Sequence, residues 1–141
     1  MEASSVQRRN VELAREGMHA YNRGDFGAVL DLFSPEIEVY APPNFMNSGH
    51  FHGHEGFMEW IAHWNEAWES FEIHVDDIEP IGDRFVVLEA HQQGRGRGSG
   101  VPVEQDVIYV YEMSGARCVH LSVHPDRAAA MAHVRARENA T

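Results

Sequence analysis

His54-Glu55-Gly56-Phe57-Met58-Glu59-Trp60-Ile61-Ala62-His63-Trp64-Asn65-Glu66-Ala67-Trp68 runs straight into Glu69-Ser70-Phe71-Glu72-Ile73-His74-Val75-Asp76-Asp77-Ile78-Glu79, and the change of rhythm between them decides the fold class. In the first part Phe57, Ile61, Trp64 and Trp68 recur at three- and four-residue steps, with Trp60 beside them. That is the apolar stripe of a helix. From Phe71 the period drops to two, the signature of a strand whose side chains alternate between faces. Residues 84–93, 103–113 and 117–123 are three further strand candidates. Gly82-Asp83 and Ser114-Gly115 supply tight turns, and Gly94-Arg95-Gly96-Arg97-Gly98-Ser99-Gly100 supplies a longer hairpin tip.

Working back towards the N-terminus, Val11, Ala14, Met18 and Tyr21 form a helical stripe over residues 5–22. Arg23-Gly24 ends it, and Asp25 caps a second short helix carrying Phe26, Val29, Leu30, Leu32 and Phe33. Ser34-Pro35 closes that helix, because proline disfavours the helical conformation in the residue before it. Residues 36–41 alternate as a short strand, and a loop rich in Asn, Gly and His leads on to Gly53. Towards the C-terminus, Pro125 precedes an Ala-rich helix over residues 126–137, which Asp126 caps. The order is helix, helix, strand, helix, four strands in meander, helix. It predicts an α+β domain in which a curled antiparallel sheet wraps the N-terminal helices and the Trp-bearing helix around one pocket.

Bulk properties narrow the function classes. The 141 residues, 43% hydrophobic, suit a single domain spanning 1–141, with a core that needs no disulfide. Twenty-two Asp and Glu against eleven Lys and Arg give a net charge of −11, which argues against nucleic acid and anionic membranes as partners. A lone Cys118 and the lack of a long apolar run predict a cytoplasmic protein.

Four pieces of sequence carry a family resemblance: Tyr21-Asn22-Arg23-Gly24-Asp25 with Leu32-Phe33-Ser34-Pro35-Glu36; Phe51-His52-Gly53-His54-Glu55-Gly56; Gly98-Ser99-Gly100-Val101-Pro102-Val103-Glu104-Gln105; and His124-Pro125-Asp126-Arg127. In this order and spacing the chain resembles the SnoaL-like members of the nuclear transport factor two and ketosteroid isomerase superfamily. The resemblance implies a cone-shaped fold, and it covers almost the whole chain. It also implies where catalytic groups would sit in the isomerases. Their helix-borne Tyr falls near Gly17 and their Asp base near Ala41, while Asp106 matches the Asp of the oxyanion site. Isomerisation by that machinery is disfavoured.

Strand parity then selects candidate catalytic residues. Relatives carry apolar residues where this chain has Glu89 and His91, which places both towards the cavity, with Phe85 and Val87 deeper on the same face and Gln93 further out. Asp106 on the adjacent strand joins them as a carboxylate–imidazole–carboxylate set able to move a proton. A register one residue different would put them outside. For substrate contact the candidates are Tyr21, Trp60 and Trp64, with Phe45, Phe51 and His52 at the rim. His50, His52 and His54 alternate, but a Gly-containing loop is a poor frame for a metal, and no metal or cofactor is expected.

The reading is a small-molecule pocket protein acting without a cofactor on an apolar substrate, polycyclic ones included: a proton-transfer enzyme of the polyketide cyclase, isomerase or hydrolase type. The alternative is a non-catalytic binding or accessory protein using the same cavity. A homodimer through the outer sheet face is expected, with Tyr109 and Tyr111 at the contact because their parity is opposite to that of Asp106.

Overall fold

A capping box starts the chain's first helix: Ser4 Oγ accepts from Gln7 N, and Gln7 Oε1 accepts from Ser4 N. The computed structural model describes residues 4–42 and 48–139. Helix α1 (Ser5–Asn22) buries Ala14, Met18 and Ala20, and after Gly24 turns the chain at φ +76°, Asp25 caps α2 (Phe26–Asp31). Strand β1 (Phe33–Ala41) begins earlier than the sequence suggested. Ser34-Pro35 lies inside it, where a register shift between Phe33 and Glu38 interrupts the ladder and no proline N–H is required. A short β2 (Gly49–His52) occupies the end of the expected loop. Helix α3 (Gly53–Glu66) stops before Trp68, which opens β3 (Trp68–Ile81). Then follow β4 (Phe85–Gly96), β5 (Pro102–Ser114), β6 (Arg117–His124) and α4 (Arg127–Asn139).

The six strands form one curled, unclosed sheet in the order β2-β1-β6-β5-β4-β3. Every neighbouring pair is antiparallel except β1 with β6, which is parallel. Helices cover both faces. On the concave face Val86, Leu88, Ala90, Val107, Tyr109, Tyr111, Leu121 and Val123 belong to the main core, which includes Ala14, Met18, Phe57 and Ile61 of α1 and α3. On the convex face Phe85, Val87, Ile108 and Val110 pack under Ala130 and Val134 of α4. Each such aliphatic side chain contributes about 1.5–3 kcal/mol through burial.

This two-sided burial overturns the expected parity. Glu89 and His91 follow Phe85 and Val87 at a period of two, so they lie on the convex face with the α4 contacts and point away from α1 and α3. Asp106 pairs with His91 on that face, and its side chain is 90% exposed. Residues 85–88 are apolar on both faces because α4 covers the outside, which erases the alternation that would have set the register. Beyond the helix the outer positions become polar, where water can solvate them, and the inner ones are Ala90 and Gln92. Tyr109 and Tyr111 are correspondingly inside, 6% and 5% exposed, and cannot form an outer contact.

Candidate functional site: an aromatic pocket inside the cone

The concave face does not close completely on its helices. A pocket remains between α1, α3 and the sheet, with Met18, Phe33, Phe57, Ile61 and Val123 among its walls. Tyr21 at the end of α1, Trp60 and Trp64 on α3 and Phe71 on β3 are half-buried at its edge. They form a connected set: Tyr21 meets Phe71 edge-on at 6.2 Å between centroids, and Phe71 meets Trp64 edge-on at 5.1 Å. The free space is about 50 Å³, room for a few water molecules. Sites for drug-sized ligands run to about 300–1,000 Å³. A polycyclic molecule therefore enters only if the aromatic rings at the edge move.

The polar groups of the lining are few. Gln92, the tyrosines Tyr21, Tyr109 and Tyr111 and the indoles of Trp60 and Trp64 supply them; among the described residues no Asp, Glu, His, Lys or Arg takes part. Tyr109 Oη donates to Gln92 Oε1. Burial raises the pKa of Tyr109 well above its ordinary value of 10.0, with the neighbouring Tyr21 and Tyr111 adding to it. Burial also raises Tyr21 and Tyr111. All three remain protonated donors through the physiological range.

Gly17 and Ala41, where the resemblance placed a catalytic tyrosine and base, both line the pocket. Neither can do that chemistry. A Cβ on Gly17 would stand 3.5 Å from Tyr111 Oη, so the hydroxyl comes in from the sheet and faces the helix position at which the isomerase tyrosine would begin.

Of the residues expected to touch substrate, Tyr21, Trp60 and Trp64 line the pocket. Phe51 stands behind them, 6.4 Å from Trp60 ring to ring. His52 is outside, exposed and 3.1 Å from Glu36. Phe45 lies outside the described residues. Glu89, His91 and Asp106 do not converge in the pocket. On the convex face His91 Nδ1 is 2.9 Å from Asp106 Oδ1 and its Nε2 3.7 Å from Glu104, while Glu89 is 3.8 Å from Arg127. The hydrogen bond to Asp106 raises the pKa of His91 and outweighs an opposing effect of desolvation. Such exposed pairs contribute little to stability.

The alternating histidines diverge. His50 packs its ring on Tyr40, His52 pairs with Glu36, and His54 Nε2 donates to Phe33 O at 3.1 Å. Among the described residues no group of three His, Cys, Asp or Glu is placed to hold a metal ion. Sequence reasoning missed Gln92, Tyr109 and Tyr111, which the parity error moved outside with everything else on their face. The signal was present: polar Glu89 and His91 flank small Ala90, the pattern of a strand whose polar side faces water.

Comparison with known proteins agrees with this architecture. The family model described as a SnoaL-like domain matches residues 14–121. No curated protein matches the chain significantly. An NTF2-like protein of unknown function from Burkholderia pseudomallei K96243 superposes with a TM-score of 0.76 at 20% identity, covering 88% of this chain and 95% of that one. A structure described as a SnoaL-like polyketide cyclase from Jannaschia sp. CCS1 gives a TM-score of 0.78 at 17% identity, over 93% and 94% of the two chains. TerC, co-crystallised with polyporic acid, gives 0.75 at 17% identity over 88% and 96%. At these identities the structures attest the fold, and the family match, which spans most of the sequence from α1 to β6, attests the kinship. The chain belongs to the SnoaL-like domain family.

Proposed function

We propose that the protein binds a small, flat, largely apolar molecule in the pocket between α1, α3 and the sheet. The observation that carries this is the lining itself: aromatic and aliphatic walls, a few polar groups and, among the described residues, no ionised side chain. Such a site gains by removing apolar surface from water and uses its polar groups for orientation. That TerC was crystallised with polyporic acid supports a ligand-holding role for this fold.

Proton-transfer catalysis on the same molecule is the second reading. What favours it is the set of tyrosine hydroxyls, held protonated by burial and able to stabilise charge developing on a substrate oxygen. Glu89, His91 and Asp106 have no part in either reading. A homodimer, proposed here as well, would have to use convex strand surface that α4 leaves open, and light scattering reads its mass.

The test is thermal stabilisation and tryptophan quenching across a panel of small aromatic compounds. A ligand at one hundred times its Kd stabilises by about 2.7 kcal/mol, several degrees of Tm for a domain of this size. His91→Ala should bind with unchanged affinity, whereas Tyr21→Ala should weaken it. No stabilisation by any compound, or loss of binding in His91→Ala alone, contradicts the reading.

A further inference from the structure

We propose that Gln92 selects the ligand by its chemistry: its free amide N–H groups call for a neutral molecule that presents a carbonyl oxygen to the inner wall of the pocket. This rests on the pocket being the binding site and names the class of molecule it takes. Gln92 is 5% exposed and is the one side-chain amide that the described residues bring to the pocket. Its oxygen accepts from the Tyr109 hydroxyl. An amide has two N–H donors as well, and these find no protein partner among the described residues.

The nitrogen is not sealed away either. The fully buried side-chain polar atoms left without a hydrogen bond among the described residues are Asn10 Oδ1, Trp68 Nε1 and His133 Nε2. Gln92 Nε2 is not among them, and the residue borders both the pocket and a smaller gap beside Trp68 and Gln105. Tyr109 also fixes which end of the amide is presented, because its phenol is a strong donor and turns the carbonyl of Gln92 towards itself. A ligand carbonyl arriving there restores a hydrogen bond. A hydrocarbon leaves the donors dry, and an alkylammonium brings donors to donors with no carboxylate to balance its charge. Tyr109 Oη keeps acceptor capacity after donating, so a hydroxyl next to the ligand carbonyl would also be satisfied.

Three probes of similar size separate the possibilities: acetophenone, ethylbenzene and benzyltrimethylammonium, titrated against tryptophan emission. The wild-type protein should prefer acetophenone to ethylbenzene by roughly five- to tenfold, the ratio expected for one net hydrogen bond. Gln92→Leu should erase that preference while keeping or improving ethylbenzene binding. Gln92→Met, closer in shape, should do the same and keeps the test open if the leucine variant folds poorly. Equal binding of the two neutral probes by the wild type, tightest binding of the cation, or a preference that survives both variants overturns the proposal and leaves the pocket reading standing. Failure of all three probes to bind overturns both.

Discussion

Gly17 shows how much one residue decides. It sits on α1 against the pocket, and an added Cβ would meet Tyr111 Oη at 3.5 Å and Leu32 at 3.6 Å, both ordinary contacts. A helix-interior glycine is less favourable than alanine by roughly 0.5–1 kcal/mol. Gly17→Ala should therefore raise Tm by a few degrees in calorimetry and leave binding measurable, whereas Gly17→Phe should fill the pocket and abolish binding in a folded protein. An unstable Gly17→Ala variant would mean that the helix and sheet approach more closely there than the contacts indicate. The sequence alone revealed Gly17 only through resemblance, as the place of a missing tyrosine. It could not reveal that Tyr111 from β5 supplies a hydroxyl nearby, since that contact spans ninety-four positions of chain. Tyr21, Trp60 and Trp64 were legible because helical spacing fixes which residues share a face. Glu89, His91 and Asp106 were not, because a strand buried on both sides carries no alternation to read.

Helix α3 depends on the hairpin tip between β4 and β5. Arg97 reaches back from the tip to the end of α3, where its guanidinium donates to Asn65 O and Glu66 O at 3.4 and 3.2 Å, and to Trp68 O at the start of β3 at 2.9 Å. Its backbone N donates to Ala67 O at 3.0 Å. A cation at a helix C-terminus satisfies carbonyls that the helix cannot and complements its dipole. Trp64 sits one residue before this clamp, so the clamp fixes one wall of the pocket. Arg97→Ala should cost about 1–3 kcal/mol in chemical denaturation and weaken ligand binding, while Arg95→Ala, whose side chain bonds only Gly100 O within its own hairpin, should do neither. Equal effects of the two variants would count against the clamp. From the sequence Arg97 read only as part of a hairpin tip, for nothing local connects the tip to α3. The same distance effect hid the end of α3: Trp68 continues the helical stripe in spacing, yet pairing with Gly96 draws it into β3.

At the scale of the whole molecule, α4 covers a group of buried polar side chains on the convex face. His120 and His124 on the convex face are 6% and 4% exposed, and His133 of α4 stands between them, its ring 5.1 and 4.8 Å from theirs. Burial, then Arg137 and His133, lowers His120 to about 4, and burial, then His133, lowers His124 to about 4. Burial and Arg137 lower His133 as well. Glu112 beside them would be raised by burial, but hydrogen bonds from Arg137 and Arg84 outweigh that and hold it ionised. The folded protein thus binds fewer protons than the unfolded chain between pH about 6.5 and about 4, so stability is full above that window and falls as pH drops through it. His133→Phe should lose less Tm than the wild type between pH 7.5 and pH 5. A flat profile for the wild type would show that these rings are not buried neutral. The composition displayed ten histidines without showing that a terminal helix would enclose three of them. Binding in the pocket is tested most directly by a crystal structure of the protein soaked with acetophenone. The ring should lie between Tyr21, Trp60 and Trp64 with its oxygen towards Gln92; an empty pocket, or ligand held on the convex face beside His91 and Asp106, would contradict binding in the cone.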